Sequence, residues 1–81
     1  MPGRPQHGFQ ISAARAALGM RRADLAKAAG LHPNSIFRAE RLATIPGHSF
    51  AADQIGKVFD ACGVSFESGE GKATITLPTR Q

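Results

Sequence analysis

Apolar residues recur at helical spacing as far as residue 62 and then alternate one for one. Ile11, Ala14 and Leu18 share a face with Arg15, which predicts a first helix from position 9 or 10 to 18, ended by Gly19 as a C′ glycine. Leu25, Ala26 and Ala29 form the inner stripe of a second helix over 22–29, with Ala26 small where the next helix must cross closely. Gly30 follows, where the turn calls for a positive φ, and Leu31 plugs that turn. His32 and Pro33 take the N-cap and first helical positions, where proline gives up no helical hydrogen bond. Histidine is a poor cap beside Ser or Thr, so this helix start is predicted to be slightly weak. The third helix runs from 33 to 41 or 42, with Ile36, Ala39 and Glu40 inward and Asn34, Ser35, Phe37, Arg38 and Arg41 outward or flanking. Residues 44–49, with Pro46 and Gly47, read as a loop. Ser49 caps a fourth helix from 50 to 61 or 62, whose buried side is Ala52, Ile55, Val58 and Phe59 and which Gly63 stops.

Beyond Gly63 the period becomes two. Residues 64–67 and 73–77 alternate apolar and polar side chains around the polar, glycine-rich stretch 68–72, which signals a β-hairpin. An isolated hairpin is marginal in water, so Val64, Phe66, Ile75 and Leu77 need cover from the helices or from a second subunit. The expected fold is therefore mainly α, four helices with a C-terminal β-hairpin. Residues 1–8 form a flexible arm, 9–63 the helical domain and 64–78 the hairpin, a candidate dimerisation element. Arg4 in the arm either touches phosphate or the minor groove, or belongs to a disordered end with no role.

With 81 residues the chain builds one small core and no deep pocket for several catalytic groups. Its formal charge of +4 lies wholly within 15–41, where Arg15, Arg21, Arg22, Lys27, Arg38 and Arg41 face only Asp24 and Glu40. Such a surplus on a helical pair points to a polyanionic partner, nucleic acid or an acidic protein surface. Cys62 is alone, so it makes neither an internal disulfide nor a zinc site, and near the end of an apolar helix it reads as a small buried hydrophobe. His7, His32 and His48 lack ligand spacing, no nucleophile is set beside a base, and Gly69 and Gly71 lie in a hairpin turn rather than a phosphate loop. The chain thus reads as non-enzymatic, with no catalytic residues, cofactor, metal or small-molecule ligand expected. No apolar run approaches the ~20 residues that span a bilayer. Residues 1–9 lack the apolar centre of a signal peptide. No membrane partner is expected, and the cytoplasm is the expected compartment.

Three runs can be set together: Ile11-x-x-x-Arg15-x-x-Leu18-Gly19-Met20, Ala23-Asp24-Leu25-Ala26-Lys27-x-x-Gly30, and Asn34-Ser35-Ile36-x-Arg38-x-Glu40. In combination they resemble the phage-repressor class of helix-turn-helix proteins, the family of Cro and the lambda-type repressors, over residues 11–64. The resemblance implies a first helix, a scaffold helix, a recognition helix and at least one closing helix. It also implies a structural Arg–Glu pair, here Arg15 and Glu40. The residues agree, since charges on inward faces are rarely buried unless paired. By the same match Pro33, Asn34, Ser35 and Arg38 fall at base-reading positions, where Arg suits guanine and Asn suits adenine. Arg22 stands where the family usually grips a phosphate with Gln, and Arg41 where the family also meets the backbone. Arg21 and Lys27 join more weakly.

Two residues depart from the family pattern. Pro33 cannot hydrogen-bond a base, though it can touch a thymine methyl. Phe37, on the outer side of the recognition helix, packs on a base or sugar, belongs to a protein interface, or is a lone exposed hydrophobe. The function implied is a sequence-specific, double-stranded-DNA-binding transcriptional regulator, a repressor acting as a homodimer on an inverted repeat. Family repressors often dimerise through an extra helix. Here the hairpin replaces it, with Phe66, Ile75 and Leu77 as interface candidates, or else it only caps the helices. The rival expectation is a protein-sequestering module, an antitoxin or antiactivator, which would bind a regulatory protein through Phe37, Pro33 and the apolar hairpin residues.

Overall fold

Two left-handed glycines divide the first half of the chain, Gly19 at φ 68° and Gly30 at φ 70°. Between and beyond them the structure, a computed structural model that describes residues 4–79, places α1 at Gly8–Leu18, α2 at Arg22–Ala29, α3 at Pro33–Glu40 and α4 at Phe50–Ala61. The hairpin strands β1, Ser65–Gly69, and β2, Lys72–Thr76, complete a mainly α fold. The start of α3 is better capped than its sequence predicts, because His32 Nδ1 accepts from the Asn34 amide at 3.0 Å. The Ser49 hydroxyl caps α4 by accepting from the Ala52 amide at 3.1 Å.

The hairpin is tighter than the polar stretch 68–72 suggests. Ser68 pairs with Ala73 and Gly69 with Lys72, which leaves only Glu70 and Gly71 in the turn. Their φ values, 53° and 74°, are both positive, as a type I′ turn requires.

One core takes side chains from all four helices and β1: Ile11, Ala14, Leu25, Ala26, Ile36, Ala52, Ile55, Phe59, Val64 and Phe66 are all buried. Helix α2 packs on both α3 and α4, while α1 lies against α3 and β2. Phe66 meets Phe59 edge-on at 5.5 Å, so the helices cover this face of the hairpin. Ile75 is half-buried and Leu77 exposed.

Gln10 joins α1 to the hairpin and is fully buried. Its Oε1 accepts from the amides of Gln6 and His7 at 2.8 and 3.0 Å. Its Nε2 donates to the carbonyls of Glu67 and Thr74 at 3.2 and 3.0 Å. Those two residues face each other in the strand register.

Three expectations change. Cys62 is exposed, not buried. Helix α4 ends one residue before it, Gly63 turns the chain at φ 81°, and Val64 takes the inward place instead. Val58 is half-buried rather than buried, at the margin of the same stripe. Residues 4–8, expected in a flexible arm, lie against the body. Pro5 is buried, and Ile45 donates its amide to the Gln6 carbonyl at 2.8 Å. Arg4 donates to the Ser49 carbonyl at 3.4 Å, to Asp53 Oδ1 at 3.3 Å and to the Pro46 carbonyl. Its guanidinium thus braces the loop before α4. Residues 1–3 of the expected arm lie outside the described residues.

Gly8 shows how closely α1 approaches the end of α3. Its amide donates to the Leu42 carbonyl at 2.9 Å. A methyl at its Cα would lie 2.5 Å from that oxygen and hard against the Glu40 carbonyl, both of them backbone. Overpacking of this kind costs about 1–3 kcal/mol. Gly8→Ala is therefore expected to lower the urea midpoint by a matching amount with the slope unchanged, and a midpoint equal to wild type would contradict the close contact.

Candidate functional site

Helix α3 presents one face to the core and the other to solvent. Ile36 and Ala39 are buried, while Pro33, Asn34, Phe37 and Arg38 are exposed and Ser35 is half-buried. Of the four residues expected to read bases, the structure therefore leaves Pro33, Asn34 and Arg38 open and sets Ser35 partly into the surface.

Behind α3 stands an ion pair. Arg15 donates to Glu40 through Nε to Oε2 at 2.6 Å and through Nη2 to Oε1 at 3.2 Å. Arg15 Nη1 also reaches the Met20 carbonyl at 3.0 Å, which ties the end of α1 to the same cluster. Arg22, from the first turn of α2, adds a third bond to Glu40, Nε to Oε1 at 2.8 Å. The Glu40 side chain is only 3% exposed, against 16% for Arg15 and 47% for Arg22. Burial pushes the Glu40 carboxyl up, but the hydrogen bonds and charges of Arg15 and Arg22 outweigh it and hold the group below its ordinary value.

Phe37 has partners within its own chain. The guanidinium carbons of Arg22 and Arg41 lie over its ring, 5.2 and 5.5 Å from the centroid. Each such contact on an exposed ring is worth about 0.5–1 kcal/mol. Arg41 is four residues beyond Phe37 on the helix, so half of this arrangement was visible as spacing. The other half was not, because Arg22 arrives from a different helix.

The remaining basic residues differ in their freedom. Arg21 is engaged by Asp24, whose Oδ1 and Oδ2 accept from its side chain at 3.1 Å each while Oδ2 also takes its amide at 2.9 Å. The side-chain bond from Arg21, helped by the backbone one, holds Asp24 below the ordinary carboxylate range. Lys27 and Arg38 are exposed, and among the described residues no carboxylate lies within 4.0 Å of Lys27, Arg38 or Arg41.

The four residues named as protein-interface candidates do not form one surface. Phe66 is inside the core against Phe59, so it is not available to a partner. Ile75 packs on the core from its edge, Leu77 is exposed, and Phe37 carries its two arginines. Gln10, given no role in the sequence reading, proves to be a structural tie. Its place four residues before Ala14, on the inward face, was the available signal.

Among the described residues, no three His, Cys, Asp or Glu side chains gather as a metal site would need, and no helix is long and apolar enough to cross a membrane. No protein-family model, curated protein or solved structure matches the chain.

Proposed function

We propose that this chain is a sequence-specific, double-stranded-DNA-binding transcriptional regulator. In this reading it is a repressor that occludes a promoter in the cytoplasm as a homodimer on an inverted repeat. The observation that carries the proposal is the mounting of α3. Its exposed side offers Asn34 and Arg38, while its rear is fixed by buried Ile36 and by the Arg15–Glu40 pair. A helix held so firmly from behind, with a guanidinium and an amide projecting from its outer side, suits base-edge recognition in the major groove. The helix pair α2–α3 around left-handed Gly30 would then be the helix-turn-helix, with Asn34 and Arg38 reading bases. Arg22, Arg41 and Lys27 would hold phosphates, with Arg21 a weaker contributor because Asp24 already engages it.

A single helix reads few base pairs, so useful specificity calls for two copies. Selection from a random duplex library with the purified protein tests this directly. A palindromic consensus with half-sites one helical turn apart is expected. Absence of any enriched sequence would remove the regulator, and a consensus without symmetry would remove the homodimer. Arg38→Ala should weaken the selected duplex by about 1–3 kcal/mol and relax preference at one position of each half-site.

The rival reading, an antitoxin or antiactivator that sequesters a regulatory protein, draws on exposed apolar residues of other segments than α3, Phe9, Phe50 and Leu77. Stoichiometric capture of a protein with Arg38 dispensable would favour it.

A further inference from the structure

Phe37 sits on the outer side of α3, where an aromatic ring neither reads a base edge nor fills the core. We infer that it is a positioning residue, resting on the DNA-binding reading above. It holds Arg22 and Arg41 together as one two-guanidinium site for the phosphodiester backbone.

Three observations meet here. Both guanidinium carbons lie over the one ring, at 5.2 and 5.5 Å from its centroid. The ring therefore gathers two like charges that would otherwise repel each other. Among the described residues, the only acidic side chain bonded to either arginine is Glu40, which already takes two bonds from Arg15. Arg22 reaches Glu40 through Nε alone, and no hydrogen bond among the described residues uses its two Nη groups or the Arg41 side chain. The cluster therefore presents more N–H donors than acceptors and more positive charge than negative. A ligand that completes it must be anionic and rich in oxygen acceptors, and forked guanidinium donors match phosphate oxygens two at a time. The stack also spares rotamer entropy, because two long side chains are held in place before the anion arrives.

The position of the site supports a backbone ligand rather than a base. Arg22 opens α2 and Arg41 follows the last residue of α3, and the two meet over Phe37, which is three residues beyond Asn34 and next to Arg38 on α3. The ring itself, with two guanidinium groups over it, is not a stacking platform for a base. This gives Phe37 a role outside the three that the sequence left open, a base or sugar contact, a protein interface or a lone exposed hydrophobe.

The test uses the full chain and a short mixed-sequence duplex, because non-specific affinity is carried by phosphates and needs no operator. Binding is titrated over a range of salt for wild type, Phe37→Leu, Phe37→Met and Phe37→Tyr. The same leucine change is also made in an Arg22→Ala/Arg41→Ala background. The two ringless variants are expected to bind roughly tenfold more weakly at low salt. Their slope of log affinity against log salt should be shallower by about one. Phe37→Tyr keeps the ring and should match wild type. In the double-alanine background Phe37→Leu should change nothing further, which a merely structural role would not produce. Wild-type affinity in Phe37→Leu and Phe37→Met would overturn the inference while leaving DNA binding intact, as would an equal loss in the double-alanine background. Failure of wild type to bind any duplex, with capture of an acidic protein instead, would overturn both.

Discussion

Glu40→Ala is expected to lower the free energy of unfolding by about 3 kcal/mol, because it leaves the partly buried Arg15 guanidinium without its counter-charge. The 16% exposure of the Arg15 side chain leaves little water to replace the carboxylate, and its remaining bond to the Met20 carbonyl is neutral. Small domains have about 5–15 kcal/mol in total, so a variant this damaged should melt far below wild type in urea or heat. Replacing both partners with hydrophobes, Arg15→Met with Glu40→Leu, should recover most of the loss, since the cost lies in the unpaired charge and not in the absence of the pair. A Glu40→Ala variant within 1 kcal/mol of wild type would show that solvent reaches Arg15 freely.

The same residue sets an acid dependence. Glu40 is held below its ordinary value of 4.5 in the folded state, so the unfolded chain binds protons more readily. The stability this contributes is complete above the unfolded value and is lost as pH falls through the lower, folded one. The wild-type urea midpoint should therefore drop as pH falls below about 4.5. Glu40→Ala should flatten that dependence. Asp24 shifts in the same direction but its pair with Arg21 is exposed, so its share is small.

Gln10→Leu is the second large loss, about 2–4 kcal/mol from the partly buried groups left without partners. Leucine is close in volume, so no cavity opens. The amides of Gln6 and His7 lose their acceptor, and the carbonyls of Glu67 and Thr74 lose a donor. The expected signature in hydrogen exchange is faster exchange at the Gln6 and His7 amides together with the β2 amides, while α2 amides keep their relative protection. Uniform acceleration of every amide would mean that the helices and the hairpin open only as one unit, with no separate local loosening.

What was legible in the chain was what short-range chemistry decides. The left-handed glycines at 19 and 30, the Ser49 cap and the 3.6-residue period locate α2 and α4 at the residues observed. The Arg15–Glu40 pair was implied by the family resemblance, and the residues agreed with it because each puts a charge on an otherwise apolar face, where a charge demands a partner. The tie through Gln10 was not, since its hydrogen bonds reach 57 and 64 residues along the chain. The exposure of Cys62 depended on one residue of helix length, which periodicity does not resolve. The packing of Pro5 and Arg4 depended on the loop and helix that receive them. At the candidate site, the exposed residues of α3 followed from its period. The gathering of Arg22 and Arg41 over Phe37 required knowing how α2 crosses α3.

The Gln10 amide has a bearing on the order of folding. The turns that build the helical body close over short spans of chain, whereas the Gln10 bonds close almost the whole of it, and loop-closure entropy grows with span. The helices can therefore associate first, and the hairpin docks late, when α1 is already in place to receive it. The side chain that receives the hairpin is the one that already accepts from the amides of residues 6 and 7, so docking links the segment just before α1 to β1 and β2 through a single group.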